Sequence, residues 1–117
     1  MTYVDGMVAA VPNDKKEAFI AFSKRMAPIF SDHGAIKQVD CWGDDVPDGK
    51  LTSFPMAVKC EPDESIVFSW VIWPSKEARN AGFEKAMADP RMEEAGTDMP
   101  FDGKRMIFGG FEMIAEF

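Results

Sequence analysis

A chain of 117 residues, 46% of them hydrophobic, has the length and apolar content of one globular domain spanning residues 1–117, able to bury roughly two-thirds of its unfolded surface without staples. Thirteen Lys and Arg against 20 Asp and Glu leave a net charge of −7, which argues against nucleic acid and anionic membrane surfaces as partners. No apolar run approaches a membrane span, no basic and apolar leader opens the chain, and Cys41 and Cys60 make neither a metal motif nor a disulfide framework, so a cytoplasmic protein with two reduced thiols is expected.

Tyr3 to Val11 alternates as a strand does, and Pro12-Asn13 stops it, with Asn13 a good helix N-cap. The helix that follows carries Phe19, Phe22, Met26 and Ile29 on one stripe. Pro28 should kink its last turns or end it early; Gly34 offers a left-handed exit after about Asp32. A second strand covers about Ile36 to Trp42, and Asp44 to Lys50 is turn chemistry. Phe54 to Cys60 is apolar and suits either an added strand or a segment lying across a sheet edge. Ser65 to Trp73, rich in β-branched and aromatic residues, is the most strand-like stretch of the chain. Pro74-Ser75 caps a helix from about Lys76 to Ala88 with Phe83 and Met87 on its inner stripe. Asp89-Pro90 starts a short helix closing at Gly96, and a last strand runs from Lys104 to about Ile114.

The order strand, helix, strand, strand, helix, strand predicts an α+β fold of ferredoxin-like βαββαβ type, a four-stranded antiparallel sheet with both helices on one face. The uncovered face should then be polar. It is not: the third strand carries Phe68 and Trp70 on one side and Val67, Val71 and Trp73 on the other, and the last strand is apolar on both sides too. Each large side chain left wet forgoes roughly 1.5–3 kcal/mol. A second copy of the sheet is the natural cover, so a homodimer is expected.

Five segments resemble the YbaA-like family of small bacterial proteins, a family of unassigned function. They are Tyr3-Val4-Asp5-Gly6; Asp44-Asp45-Val46-Pro47-Asp48-Gly49-Lys50 with Thr52, Phe54 and Pro55; Val67-Phe68-Ser69-Trp70; Asp89-Pro90-Arg91-Met92; and Met99 to Met106 followed by Gly109-Gly110-Phe111-Glu112. The resemblance implies a ferredoxin-like subunit of a dimeric α/β barrel and no particular activity. The wider superfamily holds cofactor-independent monooxygenases, haem-degrading enzymes, isomerases and plain small-molecule binders, and a fold alone does not choose among them.

His33, the only histidine, sits at a helix C-terminus where a cation is favoured. The superfamily's haem enzymes take their histidine from the second helix region. Lys76 to Gly96 has none, so histidine-ligated haem is not expected; nor is another cofactor. Asp44, Asp45 and Asp48 lack the alternate spacing and closing Glu of an EF-hand calcium loop, and no metal site is expected. Arg91 and Arg105 read as ion-pair partners or as anion clamps.

Gln38, Asp40 and Trp42 share a strand face, and Asp5 shares one with Tyr3 and Met7. Polar groups on apolar strands suggest the face that looks into the barrel, where Asp5 and Asp40 could form an acid/base pair. The alternative is that they line a dimer interface, paired with Arg105 or water. Two functional readings follow. One is a homodimeric small-molecule-binding protein, of cofactor-independent oxygenase or isomerase type if it is an enzyme, with Trp42 and Trp70 walling the pocket and Tyr3, Asp5, Asp40 and Arg105 as candidate ligand contacts. The other is a non-catalytic dimeric interaction module with a packed interior. RNA binding through sheet aromatics would need basic neighbours that the charge balance does not supply.

Overall fold

The computed structural model describes residues 2–117. Strand β1 (Tyr3–Pro12) leads through a single 3-10 turn (Asn13–Lys15) into helix α1 (Lys16–Asp32), and β2 (Lys37–Trp42) follows. A short helix α2 (Phe54–Ala57) precedes β3 (Glu64–Trp73), then α3 (Lys76–Ala88), α4 (Pro90–Ala95) and β4 (Ile107–Glu112). The strands form one antiparallel sheet in the order β2-β3-β1-β4, which is the ferredoxin-like topology.

Local chemistry explains most boundaries. Ser75 caps α3 by accepting from the Ala78 N–H at 3.0 Å, and Asp89 caps α4 by accepting from the Arg91 N–H at 2.9 Å. Gly34 takes φ +109 after α1, a conformation that an L side chain resists. Asn13 is not the cap expected of it. Its backbone N–H donates to the Asp63 carbonyl and its side chain accepts from Ser65 Oγ, so it ties the end of β1 to the start of β3. Pro28 does not end α1 early, because the helix runs on to Asp32.

The segment Phe54 to Cys60 adds no strand. Ser53 Oγ accepts from the Met56 N–H, Pro55 fits the first turn, and the resulting α2 carries Val58 onto Ala10 and Ile66. The last strand is shorter than expected, Ile107–Glu112. The inner positions of α3 are Gly82 and Ala86, whereas Phe83 and Met87 are exposed. The helix lies so close to the sheet that only small residues fit beneath it: a Cβ on Gly82 would run into the His33 carbonyl and the Trp73 ring.

Direct pairing sorts the sheet into two faces. Under the helices lie Tyr3, Asp5, Met7, Ala9 and Val11 of β1 with Val67, Ser69, Val71 and Trp73 of β3. There Val11, Phe19 and Val67 form one core cluster, and Ile29, Ala86 and Ala95 join α1, α3 and α4 in another. The opposite face shows Val4, Val8, Phe68, Trp70, Ile72, Ile107 and Phe111. Among the described residues the loop carrying α2 covers part of it, leaving Phe68 41% and Phe111 60% exposed.

Candidate functional site

A cleft of about 370 Å³ opens between α1 and the edge strand β2. Its helix wall is one stripe of α1, Lys16, Phe19, Ile20, Ser23, Lys24 and Ala27, at the i, i+3, i+4, i+7 spacing that shares a face. Its sheet wall is Gln38, Asp40 and Trp42 of β2 with Val67 below. The volume suits a small organic ligand.

The polar groups of the cleft are fixed by neighbours. Asp40 accepts from Ser69 Oγ at 2.6 Å and from Gln38 Nε2 at 3.1 Å. Because the Gln38 amide donates its nitrogen to Asp40, its oxygen is turned the other way, where it is buried without a hydrogen-bond partner. At the other end Lys16 Nζ lies 5.5 Å from the centre of the Trp42 ring, a cation–π distance. Neither Lys16 nor Lys24 has a carboxylate at ion-pair distance among the described residues.

The remaining residues singled out in the sequence fall elsewhere. Tyr3 and Asp5 are on the helix-covered face with Asp40 and Trp42, not on the open face that would line a barrel interior. Asp5 is two strands from Asp40, about 10 Å across the sheet, so the two carboxylates form no acid/base pair. Asp5 instead accepts from the indole N–H of fully buried Trp73 at 2.9 Å and from Arg79 Nη2 at 2.8 Å. Arg79 also covers the Tyr3 ring at 5.1 Å, and its pKa is raised by the hydrogen bonds it donates to the Asp5 carboxylate. A Cβ on Gly110 would strike both Tyr3 and Arg79, so the glycine of β4 makes room for this cluster.

Trp70 is on the opposite face, edge-on to Phe68 at 5.5 Å. Arg105 meets neither Asp5 nor a cavity. It grips Glu64 with two nitrogens at 2.8 Å each, reaches Asp102 at 3.1 Å and donates to the Lys59 carbonyl at 2.9 Å. Arg91 bridges Asp89 and Asp32, and His33 Nε2 lies 2.9 Å from Asp89 Oδ2. Those two partners, Arg91 foremost, hold the Asp89 carboxyl far below the usual range. Both arginines are thus ion-paired. No set of three or more His, Cys, Asp or Glu among the described residues could hold a metal ion, and no helix among them is long and apolar enough to cross a membrane.

The cationic wall of the cleft escaped the sequence reading because Lys16 and Lys24 look like ordinary solvent-facing helix residues. The usable signal was the stripe itself, in which Phe19 and Ile20 sit between lysines at helical spacing and one of them is buried. The partner of Asp5 lies 74 residues away in Arg79, beyond any local pattern.

Comparison with known proteins supports the fold and the lineage. The model of a protein family of unknown function, DUF1428, matches residues 2–103. The uncharacterized protein YbaA of Escherichia coli K12 is 58% identical over 116 residues, covering 99% of each chain. A dimeric ferredoxin-like protein from an uncultured marine organism superposes with a TM-score of 0.64 at 10% identity, covering 99% of this chain and 98% of its own. SnoaB, a cofactor-independent oxygenase from Streptomyces nogalater, superposes at 0.58 with 14% identity, covering 97% and 95%. At such identities the structural likeness is one of fold, whereas the sequence match reaches from end to end: the chain belongs to the DUF1428 family, alongside YbaA.

Proposed function

We propose that this protein is a homodimer that binds a small organic molecule in the α1–β2 cleft of each subunit. The observation that carries the reading is the cleft itself, a largely apolar trough with a few polar groups on its two walls. Asp40 and Trp42 are its sheet-side ligand contacts. Tyr3, Asp5 and Arg105 serve the fold through the pairs described above, and Trp70 belongs to the subunit contact. The uncovered aromatic face supports the dimer, and it leaves both clefts on the outside of the paired sheets.

Asp40 is the one carboxylate lining the cleft among the described residues. Any proton transfer on a bound ligand, of the kind an oxygenase or isomerase without a cofactor requires, would fall to it. A thermal-shift screen with a diverse small-molecule library, followed by amide chemical-shift mapping of the hits, tests the reading. Hits that move the resonances of Asp40, Cys41 and Trp42 are expected. A library that raises no melting temperature, or hits that map elsewhere, would favour a purely structural dimer.

A further inference from the structure

The open sheet face is not uniform along its strands. At one end Val58, on the loop carrying α2, stacks on Ala10 and Ile66 and buries both. At the other end Val4, Trp70 and Ile72 are only partly buried and Phe111 is exposed. We infer that two copies pair by reciprocal seating: the α2 loop of each subunit lies on the bare end of the other subunit's sheet, with the two-fold axis running across the strands. The inference rests on the homodimer reading above and fixes which parts of the chain meet.

A loop standing on one end of each sheet restricts how two such sheets can face each other. With the two-fold axis along the strands, both loops fall at the same end and meet, and the bare ends are held apart with their aromatic side chains still wet. An axis across the strands turns one sheet end for end, so the raised end of each subunit faces the bare end of the other. Area points the same way. Four strands about 4.8 Å apart and about four residues of bare length present roughly 250–300 Å². A stable interface takes about 800 Å² from each partner, so bare end against bare end falls short. Reciprocal seating adds the loop of each subunit and uses both ends of each face.

The loop has the build of a docking element. Arg105 donates to the Lys59 carbonyl at 2.9 Å while it grips Glu64, which ties the loop to the start of β3. Phe54 packs towards Phe68, and Val58, four residues on, packs onto Ile66. Met56, two residues from Phe54, falls about 200° round the helix, on the side away from the sheet. Both Met56 and Leu51 are exposed. Apolar side chains on a clamped loop present a fixed surface, so little ordering entropy is lost when a partner covers them.

Paired variants of the full chain test the inference. Met56→Glu places a charge on the loop and Phe111→Lys places the opposite charge on the bare end; both positions are exposed in the single subunit. Sedimentation equilibrium should show each variant alone dissociating at least about ten-fold more readily than the parent. An equal mixture should recover to within about three-fold of the parent, because the mixed dimer holds one native contact and one in which glutamate meets lysine. A loop-to-loop dimer gives no such recovery, since both of its contacts stay mismatched. Circular dichroism checks that each variant is folded. A filtered NOE spectrum of the parent, with methionine methyls labelled in half of the chains, needs no substitution. It should place the Met56 methyl beside ring protons of the partner's Trp70 or the partner's Phe111.

A dimer that either variant leaves unchanged, a mixture as weak as its components, or a Met56 methyl that meets the partner's loop would overturn the inference while leaving the homodimer standing. A parent that is monomeric at micromolar concentration would overturn both readings.

Discussion

Glu64 opens β3 with a side chain only 6% exposed, a position that would normally raise a carboxyl pKa. Its pKa is lowered instead, first by the hydrogen bonds from Arg105 and further by the Glu61 backbone N–H at 2.8 Å, against the opposing effect of burial. A group whose folded pKa lies below its unfolded value binds fewer protons in the folded state. The stability it contributes is therefore fully present above about pH 4.5 and is lost as pH falls through the folded value. Glu64→Gln keeps the shape and removes the charge. Its urea midpoint should lie below the parent's at pH 7, and the two should converge as pH falls below about 4.5 and through the folded value, where the parent's Glu64 takes up its proton. Asp89, held low by Arg91 and His33 in a separate cluster, destabilises both proteins alike on acidification, whereas Asp102 shares Arg105 with Glu64, so the difference reports the Arg105 cluster as a unit. A gap that stays constant from pH 7 to pH 3 would mean that the Arg105 pairing adds nothing to the charged form.

At the scale of elements, α3 lies close over Trp73, and Gly82 permits it. In a helix interior Gly→Ala ordinarily stabilises by about 1 kcal/mol. Here the added methyl meets the His33 carbonyl and the indole ring, so the sign should reverse. Gly82→Ala is expected to cost about 1–3 kcal/mol and to lower the melting temperature by roughly 5–15 °C. A rise in melting temperature would show that α3 has room to lift. The same contact explains where the sequence misled. Phe83 and Met87 look like an inner stripe by hydrophobicity, but a helix pressed onto a tryptophan turns its smallest residues inward. The order of elements was legible because β1 alternates, β3 is dense in β-branched and aromatic residues, and the caps Ser75 and Asp89 sit where they should. The α2 turn was not read, although Ser53 and Pro55 signal it, because four residues give too short a period to see. On the cleft, alternation put Asp40 and Trp42 on one face. Which element stands opposite is a matter of packing, and only the fold brings Lys16 to Trp42.

At the scale of the whole molecule, an aromatic run crosses the uncovered sheet face. Phe54 lies 6.0 Å from Phe68, which stands edge-on to Trp70, with Phe111 and Ile107 across β1. Burying such side chains yields roughly 1.5–3 kcal/mol each, more than ordered contacts elsewhere on the surface offer. Each chain carries −7, so pairing two copies works against long-range repulsion, and added salt should tighten the dimer. Phe111→Glu is the decisive variant. Phe111 is already 60% exposed, so a glutamate there costs the isolated subunit little. In a two-fold interface it puts two like charges into an apolar contact, which a dimer does not tolerate. Sedimentation equilibrium should show a dimer for the parent at micromolar concentration and a folded monomer for Phe111→Glu. Met87→Glu, on the exposed side of α3, adds the same charge away from the open face and should leave the dimer intact. A monomeric parent would remove the reason for the apolar face, and loss of the dimer in both variants would point to charge rather than to the sheet.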